Sequence, residues 1–247
     1  MKLKALNIVN LSKHFGGVYA LNEVDLHVDK GELVGLMGPN GSGKTTLFNC
    51  VAGFYKPDGG QVYLDGREIT GWKMEDICEW GLYRTFQLPR VFPELTLLQN
   101  VLLCQPHREE SLFDIMFRKS SLELVERARG FIDFVGLGHM INEPAGSLSG
   151  GQQKLLELAA ALMKDPEVIL LDEPTGGVNP TLINDIKKLI LELNASGKTF
   201  LVIEHNMDVI MDIGQRLYVL DYGELIAEGT SEEIRNNDKV LEAYFGS

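Results

Sequence analysis

The sequence predicts an α/β fold: a core of buried strands and helices, an antiparallel β-subdomain beside it, and a helical subdomain inserted into it. Three observations predict this. The short apolar run Leu33-Val34-Gly35-Leu36-Met37 leads into Gly38-Pro39-Asn40-Gly41-Ser42-Gly43-Lys44-Thr45-Thr46 and then into a helical pattern over residues 45–52. A second apolar run at 168–171 ends on Asp172-Glu173. Between them, residues 88–162 carry helix-period patterns and few strand signals.

The elements follow in order. Leu6, Ile8 and Val9 alternate as in a strand, and Val24, Leu26 and Val28 alternate with Asp25, His27 and Asp29. Lys30-Gly31-Glu32 is a turn into the first apolar run. Pro57-Asp58-Gly59-Gly60 is a turn that opens the alternating strand at 61–64, which ends in the turn Asp65-Gly66. These strands form the antiparallel part. In the helical part, the patterns run over 122–128, 131–135 and 154–163. The core resumes with a buried parallel strand at 168–171, a helix at 181–194, a strand at 199–203, and a hairpin of 217–220 with 224–227 about Tyr222-Gly223. The acidic segment 231–245 is expected to start with Ser231 as its N-cap. The chain is expected to be one domain, with 1–87 and 163–247 forming core and β-subdomain and 88–162 the helical subdomain.

Composition excludes several classes. Hydrophobic content of 45% and charged content of 23% are those of a globular protein. No apolar run approaches the ~18–20 residues of a membrane span. The opening residues are too soon polar for a signal peptide. Cys50, Cys78 and Cys104 are odd in number and far apart, so neither a disulfide framework nor a zinc site is expected. The net charge of −12 disfavours nucleic acid and anionic lipid, so any membrane association is expected through a protein partner.

The motifs carry the chemistry. Gly38–Thr46 fits G-x-x-x-x-G-K-[ST], whose glycines let backbone N–H groups approach phosphate oxygens. The helix N-terminus adds partial positive charge there. Lys44 supplies a point charge for the β- and γ-phosphates, and Thr45 a hydroxyl for Mg²⁺. Asp172, ending a strand, can hold Mg²⁺ through water, and Glu173 can polarise a water for attack on the γ-phosphate. Leu148-Ser149-Gly150-Gly151-Gln152-Gln153 precedes a helix, where Ser149 and the glycine amides form an anion site.

At this point the chain resembles, end to end, the ATPase subunits of ATP-binding cassette (ABC) transporters. The resemblance implies a P-loop NTPase (RecA-like) core, with ATP and Mg²⁺ as substrate and cofactor. Gly38–Thr46 resembles Walker A, Asp172-Glu173 the end of Walker B, and Leu148–Gln152 the signature motif. Gln87, in Arg84-Thr85-Phe86-Gln87, resembles the Q-loop glutamine, and His205 the switch histidine. Phe15 resembles the aromatic that stacks on adenine, with Tyr19 as the alternative. The implied mechanism is a head-to-tail ATPase dimer, homodimeric or heterodimeric. ATP binding closes it and hydrolysis opens it. Glu173 is implied as general base, His205 as a γ-phosphate contact, and Thr45, Gln87 and Asp172 as Mg²⁺ holders. Ser149, Gly150, Gly151 and Gln152 are implied to act on the partner's nucleotide.

The resemblance narrows further to ATPases of branched-chain amino acid importers. Arg84-Thr85-Phe86-Gln87, Gly176-Gly177-Val178-Asn179-Pro180, Ile203-Glu204-His205-Asn206-Met207 and Leu241-Glu242-Ala243-Tyr244-Phe245-Gly246 carry it. It implies integral membrane permease subunits, indirectly a substrate-binding protein, and a place on the cytoplasmic face of the membrane. Urea or amide importers, lipopolysaccharide transport and soluble ATPases of iron–sulfur cluster assembly share much of the pattern. Two departures stand out. Asn179 occupies a position where the family has an Asp, and Ala160 one where an Arg is common.

Overall fold

A computed structural model describes residues 3–85, 90–104 and 119–245. The chain begins with β1 (Lys4–Phe15), β2 (Val18–Asp29), β3 (Leu33–Met37) and α1 (Lys44–Val51). It continues through β4 (Gly59–Leu64), β5 (Arg67–Glu68), α2 (Met74–Glu79), β6 (Leu82–Arg84), α3 (Leu97–Leu102), α4 (Lys119–Phe134) and α5 (Gly150–Met163). It then forms β7 (Val168–Asp172), α6 (Pro180–Ala195), β8 (Thr199–Ile203), α7 (Met207–Ile213), β9 (Arg216–Asp221), β10 (Glu224–Gly229), α8 (Ser231–Arg235) and α9 (Asp238–Phe245).

Two sheets result. The smaller is antiparallel, in the order β2-β1-β4-β5. Its register sets Ile8 beside Leu26 and Val62, and Leu6 beside Val28 and Leu64. All six side chains are buried, so period-2 alternation gives one apolar face. That face packs with Leu47, Phe48 and Val51 of α1 and with Val34, Leu36 and Leu201 of the larger sheet.

The larger sheet runs β10-β9-β3-β8-β7-β6 and is parallel except for β10. β3, β7 and β8 are buried at every residue because both faces are covered, which is why they read as unbroken apolar runs. The second face packs on α5 and α6 through Leu156, Ile186 and Ile190. Leu97 of α3 and Ile132 of α4 belong to the same cluster as Ile169 and Phe200. The helical stretch is therefore fused to the sheet by a shared apolar core.

The structure corrects three readings. The edge strand β6, parallel to β7, was not expected, because three residues are too few to show a period. The N-cap of the last helical stretch is Thr230, not Ser231: its hydroxyl accepts from Glu233 N–H and Glu233 reaches back to Thr230 N–H at 2.7 Å. A threonine three residues before a glutamate completes the reciprocal pair that Ser231 cannot. That stretch is also two helices, since the Asn237 carboxamide accepts from Lys239 N–H at 3.0 Å and starts a second one.

Candidate functional site

Strand register gathers the motifs at one sheet edge. Leu36 and Asp172 both pair with Ile203, so β3, β8 and β7 end on one row. The loops leaving that row carry Gly38–Thr46, His205 and Glu173. Ligands of open α/β sheets bind at such carboxyl-terminal ends.

The first loop needs its glycines. At Gly38, with φ 146°, a Cβ would stand 2.0 Å from the Leu220 carbonyl oxygen. At Gly43, with φ 107°, it would stand 2.3 Å from that of Ala20. Gly43 is also the N-cap of α1. Lys44 is buried beneath the loop and donates to the Gly38 and Pro39 carbonyls, each at 2.8 Å, and to Ser42 Oγ at 3.3 Å. Burial holds the ammonium below the ordinary lysine range, while the carboxylates of Glu173 and Asp172 push it back up. Asn40, Gly41 and Thr45 are exposed, and Thr46 is half-buried. The loop thus combines an enclosed cation with an open, donor-rich rim, which suits a polyanion.

Asp172 is buried, and its Oδ2 accepts from Arg84 Nη2 at 2.8 Å. Arg84 also donates to Asn49 Oδ1 at 2.6 Å and lies beside the Phe48 and Phe54 rings. Removing one partner of a buried pair strands the other, at about 3–5 kcal/mol. Arg84→Met is therefore expected to lower the thermal midpoint by roughly 10 °C. Calorimetry of Arg84→Met beside the double variant Arg84→Met/Asp172→Asn checks this, since the double variant should regain much of the loss.

Glu173 adopts φ 51°, a left-handed backbone unusual for a side-chain-bearing residue. Its N–H donates to the Ile203 carbonyl at 2.9 Å, and its Oε1 lies 2.7 Å from His205 Nε2. Lys154 Nζ, from α5, donates to the carbonyls of Glu173 (2.6 Å) and Gly176 (2.8 Å). The buried carboxylate of Glu204 accepts from Thr175 N–H at 2.8 Å and Asn206 N–H at 3.2 Å, which ties the Glu173 loop to the His205 loop. Sequence reasoning missed Arg84, Lys154 and Glu204 as parts of the site. Their tertiary partners, Glu173 for Lys154, Asp172 for Arg84 and Thr175 for Glu204, are 19, 88 and 29 residues away, so spacing along the chain does not pair them. Lys154→Met is expected to lower turnover at this site roughly tenfold by loosening the strained turn. Steady-state kinetics check it, with unchanged turnover as the refuting result.

Ser149 caps α5. Its hydroxyl accepts from Gln152 N–H at 3.3 Å, and its own N–H donates to Gln152 Oε1 at 3.0 Å. Gly150 is exposed and Gly151 buried, where a Cβ would meet Leu182 at 2.5 Å. Among the described residues, the side-chain hydrogen bonds of this turn go to its own helix and to Met140. Asn179 caps α6 by accepting from Leu182 N–H at 3.0 Å, with Pro180 at the first helical position. Ala160 is buried in the core. Phe15 and Tyr19 lie on the β1–β2 hairpin, both exposed, with Phe15 edge-on to Tyr55 at 5.4 Å. The same hairpin abuts the first loop through Ala20 and Gly43. Gln87 lies outside the described residues.

A glycine-rich loop between buried strand and helix, with an acidic pair and a histidine at the same sheet edge, defines a P-loop nucleotide-binding protein. The family profile described as ABC transporter matches residues 21–176, and the chain belongs to that family. The profile of the branched-chain amino acid ATP-binding cassette transporter matches residues 224–247. A probable branched-chain amino acid transport ATP-binding protein of Archaeoglobus fulgidus is 42% identical over 99% of this chain and 96% of its own. The crystal structure of an ABC transporter cassette in its ADP conformation superposes with a TM-score of 0.86, at 40% identity over 99% of both chains. A dimeric cassette bound to ADP and Pi superposes with a TM-score of 0.77, at 30% identity over 92% of this chain and 98% of that one. The family and fold expected from the sequence are thus borne out. No helix among the described residues is long and apolar enough to cross a membrane.

Proposed function

We propose that this chain is the ATP-hydrolysing subunit of an ABC importer for branched-chain or other hydrophobic amino acids. The observation that carries it is the single sheet edge where Lys44, Asp172, Glu173 and His205 converge. The named relatives support the cargo class, being branched-chain amino acid transport ATP-binding proteins.

The residues divide the work. Backbone N–H groups within 40–46 and the Lys44 ammonium hold the phosphates of ATP. Phe15, or Tyr19, offers a ring face to adenine. Glu173 accepts a proton from the attacking water, and His205, bonded to Glu173, orients that carboxylate and contacts the γ-phosphate. The exposed Thr45 hydroxyl and the Asp172 carboxylate are hard oxygen donors that fit Mg²⁺, with Gln87 as a third holder. Among the described residues no three His, Cys, Asp or Glu side chains are set to hold a metal ion between them, and Mg²⁺ needs no such cage, since waters and substrate phosphates supply much of its shell. Bound there, Mg²⁺ would neutralise phosphate charge. Ser149, Gly150, Gly151 and Gln152 act on the nucleotide of a second ATPase subunit, alike or different. Gln87 and the segment 88–162, with its helices α3, α4 and α5, transmit nucleotide state to permease subunits, which hold the chain at the cytoplasmic face of the membrane and receive cargo from a substrate-binding protein.

Affinity capture from native membranes tests this, using Glu173→Gln with ATP to hold the closed dimer. Permease subunits and an ATPase partner are expected to co-purify. Recovery of soluble partners alone would overturn the transport reading.

A further inference from the structure

The C-terminal helix α9 docks on the P-loop. Gly38 N–H donates to the Tyr244 hydroxyl at 2.7 Å. The carbonyl of the same glycine accepts from Lys44 Nζ at 2.8 Å. One residue therefore joins the tail to the ammonium. Gly38 is buried against the Leu220 carbonyl and has little room to swing away from either partner.

Tyr244 is held in turn. Its ring packs on the large core cluster and lines a small cleft with Met207 and Met211 of α7 and Val240 of α9. Burial pushes its phenol up, so it stays a neutral hydroxyl at physiological pH. α7 starts two residues after His205, so Tyr244 stands between the P-loop and the helix that continues from the His205 loop. On the outer side, Lys239 and Glu242 of α9 face Asn40 and Gly41 across an open cleft of about 730 Å³. The tail forms one wall of the approach to the loop.

We infer that Tyr244 is a positioning residue for ATP binding. Its hydroxyl fixes the first glycine of the P-loop and, through that glycine's carbonyl, the Lys44 ammonium, so that docking of α9 sets the affinity of the site for ATP. This rests on the ATP-binding reading of the loop. A phenylalanine at this position keeps the ring packing and leaves the buried Gly38 N–H without its acceptor. A lost hydrogen bond of ordinary strength corresponds to roughly two- to tenfold in an equilibrium constant.

The test compares the full-length wild type with Tyr244→Phe and Tyr244→Leu. It reads the Kd for ATP, the Mg²⁺-dependent KM and kcat, the thermal midpoint, and hydrogen exchange at the Gly38 amide. Tyr244→Phe is expected to raise Kd and KM about fivefold, leave kcat within twofold, barely move the midpoint, and speed Gly38 exchange. A KM effect without a kcat effect is the signature of binding lost equally in the ground and transition states. Tyr244→Leu, which removes the ring, should lower the midpoint as well. Wild-type Kd and wild-type Gly38 exchange in Tyr244→Phe would overturn the inference, as would a lowered midpoint with unchanged Kd, which is a packing role alone. If the wild type binds no ATP, the ATP reading itself fails. If it binds ATP and Tyr244→Phe binds it equally well, only the Tyr244 inference fails.

Discussion

Glu173→Gln is expected to abolish turnover while leaving nucleotide binding intact. A positioned base contributes roughly 10²–10⁴ in rate, so kcat should fall about a thousandfold. The variant is close to isosteric. Its amide can still bond to His205 across the 2.7 Å contact, and the backbone bond from residue 173 to Ile203 is untouched. The strained φ of 51° is no worse for Gln than for Glu. Thermal stability should therefore stay near that of the wild type. ATP should now hold two cassettes together, because the charge that bridges them is no longer removed. Phosphate release measured beside light scattering with ATP checks both halves. Wild-type turnover in this variant would show that another group takes the proton.

Lys44→Ala acts one step earlier. Charged hydrogen bonds to phosphate are worth about 1.5–3 kcal/mol each, and Lys44 is placed to serve two phosphates. The Kd for ATP should rise roughly 10²–10³-fold. Its buried ammonium is bonded to the Gly38 and Pro39 carbonyls and to Ser42 Oγ, so the nucleotide-free midpoint should fall with the loss of those bonds. The upward shift that ATP gives the wild type should disappear, since stabilisation by a ligand follows its affinity. Thermal melts with and without Mg²⁺ and ATP check this. An unchanged ATP-induced shift would remove Lys44 from the site.

Much of this was legible because it is local. Gly38 and Gly43 announce a loop that only glycine can make, and in the structure both carry positive φ with no space for a Cβ. The buried strands show as unbroken apolar runs because both of their faces are covered. The cap expected at Ser231, chosen by residue type, falls one residue past Thr230, which alone has a glutamate three residues on.

The α/β class, the P-loop, the acidic pair at the end of a strand and the family to which the chain belongs can be read from the chain alone. These are written in periodicity, in glycine positions and in contiguous motifs, each of which acts over a few residues. What holds the candidate site residues in place comes from packing between distant elements. Arg84 on Asp172, Lys154 on the Glu173 carbonyl, Glu204 between two loops and Tyr244 on Gly38 are all contacts across strands and helices. A buried charge or N–H needs a partner, but any element that packs nearby can supply it, so the choice of partner follows from strand order and helix docking rather than from spacing along the chain.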